Sequence, residues 1–156
     1  MSRVERRLLD VSVAVVTLSG IAYYVMKTWM RPRDPYSVLG HPFQPYALAL
    51  HLLTAPALVF ALGLIFREHV LEKLRGGRSV PGRRGGVLLA ATALPMVLSG
   101  YASQASSSPG ARVLLSYAHI ATGLLFALLF LSHLAATFQR RRPASRRATG
   151  TRPDAA

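Results

Sequence analysis

Four apolar stretches, at about residues 8–26, 46–66, 86–102 and 113–138, constrain this chain more than any other feature. A bilayer core needs about 20 apolar residues of helix to span it. Inside lipid a backbone must satisfy its own hydrogen bonds, so an isolated apolar stretch crosses as a helix. The third stretch is short, and the fourth is long enough to tilt. The expected fold is all-α, an integral membrane four-helix bundle over residues 1–139, with a basic, disordered cytoplasmic tail over 140–156. The chain is 51% hydrophobic with a mean hydropathy of +0.32, too apolar for a soluble domain of 156 residues.

Charge orients the bundle. There are 19 Lys and Arg against 6 Asp and Glu, a formal +13. In a soluble protein that balance would suggest nucleic acid. Here the cations flank apolar blocks, as the positive-inside rule requires. Arg3, Arg6 and Arg7, six cations between Arg67 and Arg84, and six more from Arg140 onward lie on one side. Only Lys27, Arg31, Arg33 and Arg112 lie on the other. Both termini are therefore expected in the cytoplasm, and the chain in the cell inner membrane, with lipid rather than nucleic acid as its surroundings. The first stretch reads as a retained helix, not a signal peptide. Asp10 interrupts it, no clean A-x-A site follows, and Tyr23, Tyr24 and Trp29 form an interfacial aromatic belt at its end.

Pro32, Pro35, Pro42 and Pro45 limit helix in the outer loop, and Ser106-Ser107-Ser108-Pro109-Gly110 reads as a tight outer turn. The second helix is expected to run past Arg67 into Leu74. LSGIAYY at 18–24 echoes LSGYASQ at 98–104, each ahead of a loop and a histidine-bearing span, which hints at two related hairpins.

Those histidines carry the chemistry. His51 and His69 belong to the second helix, His119 and His133 to the fourth. An intramembrane imidazole is costly without a partner, and so is a functional candidate. At roughly 100° per residue, the step from His51 to His69 completes five turns, and that from His119 to His133 falls about 40° short of four. Each helix thus carries an imidazole near each end on one face. The second and fourth helices run parallel, so His51 would pair with His119 at the outer side and His69 with His133 at the inner side. The axial steps, about 27 Å and 21 Å, differ by roughly 6 Å. Tilt, or a bend at Pro56, would absorb part of that.

The chain has no cysteine, which excludes thiolate metal sites, iron–sulfur clusters and C-x-x-C-H haem attachment. Imidazole suits zinc, copper or nickel as well. The two pairs are too far apart for one ion, however, and Asp10 is the sole carboxylate within the spans. Two stacked low-spin haems, held non-covalently between facing imidazoles, fit better. Gly63 and Gly123 would give a porphyrin clearance near His69 and His119, as Gly20 and Gly100 would on the first and third spans. Lys27, Arg31, Arg33 and Arg112 are candidates for the outer haem propionates, and Arg67, Lys73 and Arg140 for the inner ones.

HPFQPYALALHLLTAPALVFALGLIFREHV (41–70), LSGYASQ (98–104) and YAHIATGLLFALLFLSH (117–133) resemble the bacterial di-haem membrane cytochromes b, the group that includes the cytochrome b subunits of nickel–iron hydrogenases and formate dehydrogenases. The resemblance covers about half the chain, and the H-x13-H of the fourth span is its more specific part. It implies that His51, His69, His119 and His133 are axial ligands to two b haems. It also implies electron transfer between a quinone pool and a partner redox protein. The chain departs from the group in having no histidine on its first span and a longer interval on its second.

The expected role is therefore an electron relay across the bilayer, the membrane subunit of a larger respiratory oxidoreductase. His41, Gln44 and Gln104 are polar groups near the outer surface where a quinone head would find partners. The competing class is a non-redox scaffold or transporter subunit. Triads, phosphate loops and paired carboxylates, which soluble catalysis would need, are missing from the sequence.

Overall fold

The structure, a computed structural model, describes residues 2–32, 34, 36–66 and 83–141. It is all-helical over these residues. Four helices follow one another, α1 (Arg3–Thr28), α2 (Gln44–Ile65), α3 (Arg83–Ala105) and α4 (Pro109–Arg141). Each is long and apolar enough to cross a membrane. His69, Arg67, Lys73, Arg33 and the tail beyond Arg141 lie outside the described residues, as does the expected run of α2 into Leu74.

Local chemistry sets the helix starts. Ser2 and Glu5 form a reciprocal capping box, with Glu5 N donating to Ser2 Oγ (3.1 Å) and Ser2 N to Glu5 Oε2 (2.8 Å). α1 therefore begins five residues before the apolar stretch does. α2 has proline in its first turn, where a missing N–H costs nothing. Pro109 likewise opens α4, so the expected turn at 106–110 shrinks to Ser106–Ser108. The Arg112 guanidinium closes that turn by donating to the Ser106 carbonyl (2.9 Å).

α1 packs along α2, and α3 along α4, as two antiparallel hairpins; between the hairpins, backbones approach mainly where α1 meets α4. The two hairpin loops share one end of the bundle, here the loop end. The start of α1 and the end of α4 share the other, the terminus end.

The core is thin. Val13 and Val16 of α1, Leu58 of α2, Met96 of α3, and Phe126 and Phe130 of α4 form one cluster across all four helices. No large side chain among the described residues is fully buried. Outward faces are apolar instead: Leu18, Leu53, Leu98 and Leu128 are all well exposed. Water would penalise that surface, whereas lipid does not.

The two hairpins share a register. With a shift of 80 residues, Leu9, Val13, Val16, Ser19 and Gly20 of α1 correspond to Leu89, Ala93, Met96, Ser99 and Gly100 of α3. With a shift of 68, His51, Thr54, Leu58 and Leu62 of α2 correspond to His119, Thr122, Phe126 and Phe130 of α4. The hydrogen bonds match as well. Ser19 Oγ donates to the Val15 and Val16 carbonyls, and Ser99 Oγ to those of Pro95 and Met96. Thr54 and Thr122 each donate to the carbonyl of the histidine three residues earlier.

Candidate haem-ligating site

His51 and His119 face each other near the loop end, with ring centroids 6.0 Å apart and planes at 79°. Each ring is fixed from behind by the first helix of its own hairpin. His51 Nδ1 lies 2.9 Å from the Val16 carbonyl, and His119 Nδ1 lies 2.8 Å from that of Met96. A carbonyl only accepts, so each Nδ1 carries the proton and each Nε2 is left with its lone pair. This is the tautomer a metal-ligating histidine needs, and a backbone carbonyl is among the usual partners that set it.

Glycine makes this seat possible. A Cβ built on Gly20 would stand 2.9 Å from Nδ1 and Cε1 of His51. One built on Gly100 would stand 2.8 Å from Nδ1 of His119. Any larger residue would push the imidazole off its carbonyl, which lies one turn back on the same helix.

The two imidazoles, 6.0 Å apart between centroids, are the residues that would hold a metal or a haem iron at this end of the bundle. Nowhere among the described residues do three or more His, Cys, Asp or Glu gather as for an ion cage. Two neutral imidazoles are the donors these residues would offer.

His133 occupies the terminus end, where a cavity of about 460 Å³ opens, within the size range of small-molecule sites. Its wall is mostly aliphatic and aromatic, with Arg6, Asp10, His133 and Thr137 as polar members. Glycine again backs the imidazole, since a Cβ on Gly85 would come within 3.2 Å of His133 Nδ1. Ile65, not a histidine, holds the position of α2 that corresponds to His133. The terminus end is therefore not a copy of the loop end.

The other sequence candidates are placed as follows. Gly63 lines the terminus-end cavity, with nothing within 4 Å of where its Cβ would be. Gly123 faces the Met96 side chain at 3.9 Å, in the core rather than beside an imidazole. His41 Nδ1 accepts from Phe43 N (3.2 Å), and its ring packs on Phe43. Gln44 is buried, its Oε1 accepting from Gly40 N (3.0 Å), so it braces the loop; Gln104 is exposed. Lys27 lies over the Tyr23 ring, 5.5 Å from its centroid.

Sequence reasoning missed the Val16 and Met96 carbonyls, Gly85, and the cavity roles of Arg6 and Asp10. The repeated L-S-G offered a route to the first two, because each carbonyl lies four residues before its glycine. Comparison with protein-family models, curated proteins and solved structures finds no match to this chain.

Proposed function

We propose that this chain is a di-haem b-type membrane cytochrome that relays electrons across the inner membrane, between a quinone pool and a partner redox protein, with both termini in the cytoplasm. The observation that carries the reading is the facing pair His51 and His119, each ring held by a backbone carbonyl. Bound haem would supply one-electron chemistry, and the protein would supply its ligands and their orientation. His133, backed by Gly85 at the edge of a 460 Å³ cavity, is the ligand this reading assigns to the inner haem, with His69 as its partner. Little of the described chain lies outside the helices, so the redox partner is assigned to other subunits.

The test is haem content and spectra of the purified protein. Two haems per chain, with low-spin reduced-minus-oxidised bands, is the expected result. His51→Ala and His119→Ala should each remove the same haem, and the double variant should remove no more. Protein assembled with its full set of histidines yet free of haem would favour the scaffold or transporter reading instead. Zinc or copper in place of haem would point to a metal pinched directly between the imidazoles.

A further inference from the structure

Two buried serines sit one residue before the glycines that seat the imidazoles, Ser19 before Gly20 on α1 and Ser99 before Gly100 on α3. Each hydroxyl makes its shorter bond to the carbonyl four residues back, of Val15 (2.7 Å) or Pro95 (2.6 Å). Its longer arm reaches the next carbonyl, of Val16 (3.2 Å) or Met96 (3.1 Å). Thr92 makes the same two bonds, to Leu88 and Leu89, so the pattern alone is ordinary back-bonding within a helix. What sets the two serines apart is that an imidazole lands on the same oxygen. His51 Nδ1 lies 2.9 Å from that of Val16, and His119 Nδ1 lies 2.8 Å from that of Met96. The helical pattern brings each oxygen a third donor, the N–H of Gly20 or Gly100. A carbonyl oxygen has two lone pairs, so the three donors compete for them. Alanine would fill the same space without carrying a hydroxyl into an apolar core, where it costs free energy unless hydrogen-bonded.

We propose that Ser19 and Ser99 are positioning residues for the paired histidines. By sharing the Val16 and Met96 carbonyls, they limit how strongly each imidazole is held, and so how much electron density it gives to an iron between the rings. This rests on the cytochrome reading and deepens it at the loop end, where both candidate ligands lie among the described residues. A stronger bond from Nδ1 makes an imidazole a more basic ligand, and a more basic ligand favours the oxidised iron. Removing either hydroxyl should therefore lower the midpoint potential of the haem proposed there, whichever hairpin carries the change.

The experiment takes two readings on the purified, isotope-labelled full chain, for wild type, Ser19→Ala, Ser99→Ala and Ser12→Ala. Ser12 is the packing control, as buried as Ser19 and two turns earlier on α1. The first reading is the Nδ1 proton resonance of each histidine by NMR, in the reduced, diamagnetic state. Ser19→Ala should move that of His51 downfield and leave that of His119 in place, and Ser99→Ala should do the reverse. The second is a redox titration, in which both variants should lower the potential of the haem that His51→Ala removes. Ser12→Ala should change neither reading. Unmoved or upfield-shifted proton resonances, or equal shifts in Ser12→Ala, overturn the proposal while leaving the cytochrome reading intact. Shifted protons with unmoved potentials overturn it too, since the serines would then hold the rings without acting on the iron. Wild-type protein without haem removes the proposal together with the reading it stands on.

Discussion

At the residue scale, the site is built by what is missing as much as by what is present. Gly20, Gly100 and Gly85 each leave a notch that an imidazole fills, with Cβ clearances of 2.8–3.2 Å. Such contacts are too close for a methyl group unless the ring moves. Gly100→Ala should therefore tilt His119 off the Met96 carbonyl, with an overpacking cost of about 1–3 kcal/mol. On the cytochrome reading, the haem proposed at His51 and His119 should lose its low-spin signature first, followed by a lower unfolding temperature in detergent. Gly123→Ala is the control, since its Cβ would meet Met96 at an ordinary 3.9 Å. That variant should keep both spectrum and stability. Equal damage from the two substitutions would show that glycine near the histidines serves general helix packing, not the imidazole seats.

At the scale of elements, the two hairpins are variations on one pattern. Val16 and Met96 occupy equivalent positions, both offer the carbonyl that holds a histidine, and both enter the central cluster. Val16→Met alone should overpack that cluster, at about 1–3 kcal/mol. Met96→Val alone should open a cavity there. The double exchange restores total volume, so it should recover most of the lost thermal stability and, on the cytochrome reading, keep the spectrum of the haem proposed at His51 and His119. Additive losses in the double variant would deny the equivalence. Four apolar helices, their order and the facing of His51 and His119 were all legible in the sequence, because hydropathy and the 3.6-residue period report directly on them. The repeat was legible only as the short L-S-G echo. Its further matches pair unlike side chains, such as Val16 with Met96 and Leu58 with Phe126. Hydrogen bonds from imidazole to backbone leave no mark on residue type at the acceptor. The terminus-end cavity is equally silent, since residues from all four helices enclose it.

At the scale of the whole molecule, the proposed relay depends on which way the bundle crosses. On that reading electrons enter at one face and leave at the other, and the two ends differ sharply in charge. Arg3, Arg6 and Arg7 begin α1, and Arg140 and Arg141 close α4, all at the terminus end, while Lys27, Arg31 and Arg112 attend the loop end. Translocating a cluster of arginines is resisted far more strongly than translocating a few separated ones, so the terminus end should stay in the cytoplasm. The chain has no cysteine, which makes the prediction simple to test. Ser37→Cys and Ser107→Cys, in the two loops at the loop end, should react with a membrane-impermeant maleimide when the outer face of the inner membrane is exposed in spheroplasts. Ser2→Cys, at the N-cap of α1, should react only after the membrane is opened. Substituting Arg6 and Arg7 by Gln should blur that contrast without reversing it, because the arginines at the end of α4 still hold the orientation. Labelling of Ser2→Cys in sealed spheroplasts would invert the bundle. The His51–His119 site would then face the cytoplasm, and the relay would have to run towards a partner on the other side.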